Sequence, residues 1–255
     1  MSKKAIVIGA TSGIGMHVAL LLAKEGWEVG IAGRRAERLE EVKRLDKERQ
    51  GSSVRPHEGR IVCSQQIDVT SPQAPMLFNQ LIERLGGMDL YFHSSGIGWL
   101  NMMLDTEKEL ATVETNCLGF VRMIDAAFNW FASHATHGRI ACISSIAGTK
   151  GLGAAPAYSA TKRFQTHYIE CLAQQARMRG LPIRFTDIRP GFVRTDLIAG
   201  TDFPLQLDAN DVAISIVKAL HRGRRIKTID WRYALLVCLW RLIPRGIWER
   251  MKIKK

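Results

Sequence analysis

Ala5-Ile6-Val7-Ile8-Gly9-Ala10-Thr11-Ser12-Gly13-Ile14-Gly15 is the stretch whose reading decides the fold. Its first four residues are apolar and mostly β-branched, the pattern of a short buried strand. Glycines follow at once, and Met16, Val18 and the run Ala19 to Ala23 continue with helical character as far as Gly26. Strand, glycine loop and helix in that order is the context that a dinucleotide-phosphate site requires. Glycine lets the backbone turn tightly and approach the pyrophosphate. The helix N-terminus then presents free N–H groups and a positive dipole end to that anion. The spacing is Gly-x-x-x-Gly-x-Gly. Three glycines alone read more often as a turn, so it is their place between strand and helix that points to phosphate.

Outward from this unit the same rhythm continues. Strand-like runs fall near 4–9, 28–33, 60–67, 88–94, 138–144, 181–188 and 225–230. Helical stretches fill 13–25, 35–49, 72–85, 105–134, 156–179 and 208–222. Alternation of this kind predicts an α/β fold: one Rossmann-type, doubly wound parallel sheet of about seven strands, flanked by helices. With 255 residues, 46% hydrophobic and 24% charged, the chain can bury one substantial core. Residues 1–230 read as this nucleotide-binding domain, and 231–255 as a basic, apolar helical extension. Gln50 to Gly59 is polar and reads as a surface loop. Ser2-Lys3-Lys4 runs straight into the first strand, with no signal-peptide pattern. The five cysteines (63, 117, 142, 171, 238) lack metal-like spacing and suggest reduced thiols in a cytoplasmic compartment.

A second constellation concerns chemistry. Tyr158 and Lys162 stand four apart, so a helix places them on one face. A nearby ammonium favours phenolate and lowers a pKa that is ordinarily ~10. Ser145, thirteen residues before the tyrosine, can hold a substrate oxygen against the phenol. The chemistry implied is proton exchange with an alcohol or carbonyl, the partner step of hydride transfer. Ser144 competes with Ser145; strand alternation would turn it to the opposite side.

Taken together, the motifs from about residue 4 to residue 196 resemble those of the short-chain dehydrogenase/reductase family. Gly9-x-x-x-Gly13-Ile14-Gly15 resembles its cofactor loop, which also includes Thr11 and Ser12, and Asp68-Val69 resembles its adenine-contacting pair. Asn116, Ser145, Tyr158 and Lys162 look like its catalytic tetrad, and Pro190-Gly191-x-Val193-x-Thr195 like its nicotinamide-side motif. The resemblance implies that Tyr158 is the general acid/base and that Lys162 holds the nicotinamide ribose. It implies that Ser145 orients the substrate oxygen, that Asn116 helps anchor a relay water, and that Ser95 and Gly96 lie along the cofactor. It also implies a homo-oligomer, paired through long helices. Two elements depart from the family: Ile8 stands where a threonine is usual, and His93-Ser94-Ser95-Gly96 where Asn-Asn-Ala-Gly is usual. Both lie on neighbouring strands, which suggests a repacked sheet centre with His93 buried in it.

The second strand ends Ala32-Gly33-Arg34-Arg35, without the acid that would bind a ribose hydroxyl of NAD. Arg34 and Arg35 suit the 2′-phosphate of NADP, so NADP(H) is preferred over NAD(H). The expected activity interconverts a carbonyl and an alcohol on a small, hydrophobic substrate. Epimerisation through a keto intermediate, a lipid-linked substrate, and an NADP-binding redox sensor fit the same motifs. No metal site is read.

The formal charge of +12 is concentrated at the end of the chain. From Arg222 to Lys255, eleven Lys/Arg face Asp230 and Glu249, leaving +9 there. Nucleic acid would suit such charge, but the apolar run Tyr233 to Trp240 argues against it. That run is too short to span a bilayer. With its aromatic and basic flanks it fits peripheral contact with a membrane surface, a partner subunit, or the chain's own cleft.

Overall fold

Seven strands form a single parallel sheet, in the order β3-β2-β1-β4-β5-β6-β7. They are β1 (Lys4–Ile8), β2 (Glu28–Gly33), β3 (Arg60–Gln66), β4 (Leu90–His93), β5 (Gly138–Ile143), β6 (Ile183–Pro190) and β7 (Ile226–Ile229). The computed structural model describes residues 3–51, 59–134, 137–196, 203 and 205–253. Most of the expected 50–59 loop, and residues 197–202 and 204, lie outside the described residues.

Helices α1 (Gly13–Lys24), α2 (Ala36–Gly51) and α3 (Ala74–Leu85) follow the first three strands. After β4 come α4 (Thr106–Val113) and α5 (Phe120–His134), then α6 (Pro156–Met178) after β5 and α7 (Ala209–His221) after β6. The C-terminal part adds α8 (Trp231–Leu242) and α9 (Arg245–Trp248). Helices α1 and α7 bury Val18, Leu22, Val212 and Ile216 against one face of the sheet. Helices α3, α5 and α6 bury Phe78, Phe120, Phe131 and Ile169 against the other. Both faces are thus covered, which is why the strands read as continuous apolar runs.

The expected single helix over 105–134 is instead α4, a π-helical turn at Glu114–Gly119, and α5. The wide turn sits where Asn116 bonds the backbone of Ile97 in both directions, at 2.9 and 2.7 Å. Strand order reverses between β1 and β4, where the register pairs Ile8 with His93. A crevice at that switch point, beyond the carboxyl ends of the strands, is where doubly wound sheets hold ligands. The altered pair Ile8 and His93 is repacked as expected. His93 is buried, its Nδ1 is 2.7 Å from the Tyr91 hydroxyl, and its ring meets Phe120 edge-on at 5.1 Å. Burial drops its pKa to about 3, so it is neutral.

Candidate active site

The glycine loop turns out of β1 with φ +84° at Gly9 and +54° at Gly13, values that L side chains rarely adopt. A Cβ at Gly15 would lie 2.2 Å from the Gly9 carbonyl oxygen, so the helix start can only sit this close without one. Ser12, at the N-cap of α1, makes no side-chain cap, which leaves the first N–H groups of the helix open to an anion. The Ser12 hydroxyl instead accepts from Arg35 Nη2 at 2.8 Å, and Thr11 Oγ1 accepts from the same nitrogen at 3.0 Å. Arg35 therefore stands over the loop, while Asp196 approaches its guanidinium at 3.4 Å. Arg34 is exposed, and its backbone carbonyl accepts from Gln66 Nε2 at 2.9 Å. Of the two arginines, the fold brings one to the loop.

The remaining cofactor candidates line the same edge of the sheet. Asp68 Oδ1 accepts from the backbone and hydroxyl of Thr70 at 3.0 and 2.8 Å, which fixes the turn after β3. Val69 is buried against Gly119, where a Cβ would come within 2.7 Å of it. Ser95 abuts Gly9, and Gly96 faces Asn116 and Lys162 at 3.3 Å from its Cβ position. Pro190 closes β6, Gly191 N–H donates to the Ile229 carbonyl, and Val193 pairs with Leu207. Thr195 packs on Gly13 at 3.0 Å from its Cβ position, so the segment after β6 meets the glycine loop.

Asn116, Ser145, Tyr158 and Lys162 converge next to Gly96. Ser145 follows β5 as the cap of a short 3-10 turn, its Oγ accepting from Ala147 N–H at 3.1 Å, and its hydroxyl favours the ionised form of the Tyr158 phenol. Ser144 turns the other way, to the Asp187 carboxylate and to the Ile188 carbonyl at 3.2 Å. Lys162 is buried, with Nζ 5.7 Å from the Tyr158 ring centroid. Its ammonium donates to Ile143 O at 2.9 Å and to Gln165 Oε1 at 3.0 Å. Burial lowers its pKa to about 8.

The phenol behaves differently from the expectation. Burial raises the Tyr158 pKa, and the Ser145 hydroxyl opposes that only in part. The ammonium spends its hydrogen bonds on two carbonyl oxygens and lies beside the ring. A phenol so placed keeps its proton at neutrality and can give it to an oxygen held by Ser145.

Several supporting residues were missed. Gln165 is fully buried; its Nε2 donates to the Asn116 carbonyl at 2.9 Å while its Oε1 receives Lys162. Asn116 itself donates to Thr161 Oγ1 at 3.1 Å. Glu109 Oε2 accepts from Ala157 N–H at 2.8 Å, at the start of the helix that carries Tyr158. Spacing of three from Lys162 was the one sequence signal for Gln165.

This geometry has counterparts. The family model described as short chain dehydrogenase matches residues 3–202. The chain belongs to the short chain dehydrogenase family. An uncharacterized oxidoreductase of Myxococcus xanthus is 30% identical over 97% of this chain and 95% of its own length. Farnesol dehydrogenase of Aedes aegypti is 30% identical, over 88% of this chain and 92% of its own. Among solved structures, a short chain dehydrogenase/reductase of Burkholderia phymatum in complex with NAD superposes with a TM-score of 0.79 at 18% identity, covering 93% and 92% of the two chains. This short chain dehydrogenase is thus an oxidoreductase with a nicotinamide-dinucleotide-binding fold.

Proposed function

We propose that the chain is an NADP(H)-dependent oxidoreductase that interconverts a carbonyl and an alcohol, with Tyr158 as general acid/base. The observation that carries this reading is the buried Lys162 ammonium 5.7 Å from the Tyr158 ring centroid, with the buried Ser145 hydroxyl acting on the same phenol. The loop fits a dinucleotide: Gly9 and Gly15 admit no Cβ, Gly13 holds a φ of +54°, the helix start is uncapped, and Arg35 stands above them. The nicotinamide supplies or accepts the hydride. Gly9 to Gly15 would cradle its phosphates, Arg35 the 2′-phosphate, Asp68 and Val69 the adenine side, and Val193 and Thr195 the nicotinamide side.

Ser145 would hold the substrate oxygen, and Tyr158 would donate its proton to that oxygen as the carbonyl is reduced. A phenol raised by burial is suited to the acid role. The buried Lys162 ammonium, 5.7 Å from the ring centroid, would offset the charge of the phenolate left behind. Ile146, Leu152 and the exposed Trp99, Leu100 and Met102 to Leu104 give the cleft an apolar surround that suits a hydrophobic substrate. The relative named farnesol dehydrogenase agrees with an alcohol substrate.

Within the same reading, residues 1–230 are the catalytic domain and 231–255 an extension in peripheral contact with a membrane. Leu110, Val113, Leu118 and Phe164 leave apolar side chains exposed on α4, the π turn and α6, a face suited to pairing two copies. Free cysteines at all five positions support a cytoplasmic setting.

Tyr158→Phe is expected to lower turnover by roughly 10²–10⁴-fold, the usual worth of a general acid, while NADPH still binds by fluorescence titration. Turnover near the wild-type level would remove Tyr158 from the role. Arg35→Ala is expected to raise KM for NADPH at least about tenfold and leave NADH unaffected, because it removes a charge-assisted phosphate contact. An equal rise for both cofactors would place Arg35 elsewhere.

A further inference from the structure

Helix α8 is apolar on all sides, yet only one side is packed. Tyr233 and Val237 are buried with Ile146, and Trp240 joins them. The opposite side carries Trp231, Leu235, Leu239 and Leu242, which are 73, 53, 56 and 75% exposed. Their spacing of four, four and three puts them on one helical stripe. Ile247 and Met251 extend the exposed apolar surface beyond it.

The helix is held firmly, so the stripe is presented by a fixed scaffold. Lys150 Nζ donates to the Trp240 and Ile243 carbonyls at 2.8 and 2.5 Å. Trp240 Nε1 donates to Thr149 Oγ1 at 2.9 Å and Trp248 Nε1 to the Gly151 carbonyl at 2.7 Å. The latched segment, Thr149 to Gly151, begins four residues after Ser145.

Between that segment and the extension lies a cavity of about 540 Å³. Lys150, Arg241, Arg245 and Trp248 line it, with Glu249 on Arg245 as the opposing charge. Arg241 has no hydrogen-bond or carboxylate partner among the described residues, and neither do Arg250 and Lys252 on the same extension.

We infer that the outward face of α8 and α9 docks on an anionic lipid bilayer, the Trp231–Leu242 stripe entering the headgroup–acyl boundary and a lipid phosphate seating in the Lys150–Arg241–Arg245 groove. The apolar stripe with aromatic and cationic rims is the composition of an interfacial helix. Helix α8 is too short to cross a membrane, and no described helix is long and apolar enough to do so. A second copy is disfavoured on this face: a symmetric contact would oppose two surfaces each carrying Arg241, Arg245, Arg250 and Lys252 against Glu249 alone. An anionic surface neutralises that charge.

The inference rests on the peripheral contact proposed above for 231–255, and not on the chemistry assigned to Tyr158, which vesicle binding does not read. The full chain is co-sedimented with vesicles of phosphatidylserine and phosphatidylcholine, and with phosphatidylcholine alone. The wild type is expected to favour the anionic vesicles at least about tenfold, and Arg241→Glu with Arg245→Glu to remove most of that preference. Leu235→Asp with Leu239→Asp is expected to abolish sedimentation while the thermal midpoint is kept. Should those two aspartates disturb folding, Trp231→Ser repeats the test at an exposed position.

Failure of the wild type to sediment with either vesicle overturns both the inference and the peripheral contact. Equal sedimentation with both vesicles upholds the contact and overturns the headgroup groove. Release of bound protein by inorganic phosphate, at a fixed ionic strength set with chloride, would make the groove a small-anion site and overturn the lipid assignment. Conversion of an oligomer to a monomer by the aspartates, with vesicle binding intact, would assign the stripe to a second copy.

Discussion

Gln165 ties together the two groups on which the site's charge depends. Its amide takes the Asn116 carbonyl with one end and the Lys162 ammonium with the other, and nothing of it is exposed. Burial disfavours the ammonium and lowers the Lys162 pKa to about 8, against weaker support from the Asp187 carboxylate. The ammonium is present below that value and is lost as pH rises through it. We therefore expect kcat/KM for the cofactor in carbonyl reduction, which reads the free enzyme, to fall along an alkaline limb near pH 8. Gln165→Glu places a carboxylate against the ammonium and is expected to move the limb upward. Gln165→Leu removes the acceptor and is expected to move it downward, with kcat reduced roughly tenfold. A purely structural Gln165 would lower the thermal midpoint in both variants and leave the limb where it was. Tyr158, Lys162 and Ser145 were legible because their spacing and chemistry agree. Gln165 was not, since a glutamine three residues along a helix reads as solvated until the π turn opposite it is known.

That π turn is where element-level reading fell short. Helical periodicity runs unbroken from 105 to 134, so nothing in the pattern marks Glu114–Gly119 as a wide turn. What imposes it is tertiary: Asn116 is drawn to the Ile97 backbone, and Gly119 must pass Val69 without a side chain. The wide turn leaves the Asn116 carbonyl free for Gln165. The neighbouring contact is of the same kind. Glu109 on α4 receives Ala157 N–H at the start of α6 and Asn101 Nδ2 at 2.6 Å, and Asn101 N–H in turn donates to Ala154 O at 2.8 Å. One carboxylate thus positions the apolar 99–104 segment and the first turn of the helix that bears Tyr158. Glu109→Ala leaves these part-buried donors without their charged acceptor, a loss of about 1.5–3 kcal/mol. A chain of this size would then melt roughly 3–12 °C lower by calorimetry. Glu109→Gln keeps a carbonyl acceptor and is expected to retain most of the stability. An unchanged midpoint in Glu109→Ala would show that the network is not holding α6.

At the scale of the molecule, the seven parallel strands and their crossovers were readable from alternation alone, whereas the packing of the last 25 residues was not. An all-round apolar helix gives no moment to say which side goes inward. The deciding contact is Gly191, just past β6: a Cβ there would lie 2.1 Å from the Tyr233 ring, so the aromatic sits against bare backbone. The Tyr233 hydroxyl then reaches the Leu205 carbonyl at 3.0 Å, and Phe192 stacks on Phe203 at 4.1 Å between them. In this way α8 packs on Gly191, Phe192 and Leu205. Removing the extension would bare Ile146 and Gly191, so it behaves as part of the core and not as an appendage. Tyr233→Ala is expected to cost about 3–5 kcal/mol, in the range of other large-to-small changes at buried aromatics. Gly191→Ala is expected to destabilise as well, because the ring must move to admit the methyl. The two effects are coupled through one contact. With the ring gone the methyl has nothing to strike, so the double variant should be no less stable than Tyr233→Ala alone. Additive losses in urea unfolding would show that Gly191 is needed for some other reason, and that α8 is not held through Tyr233.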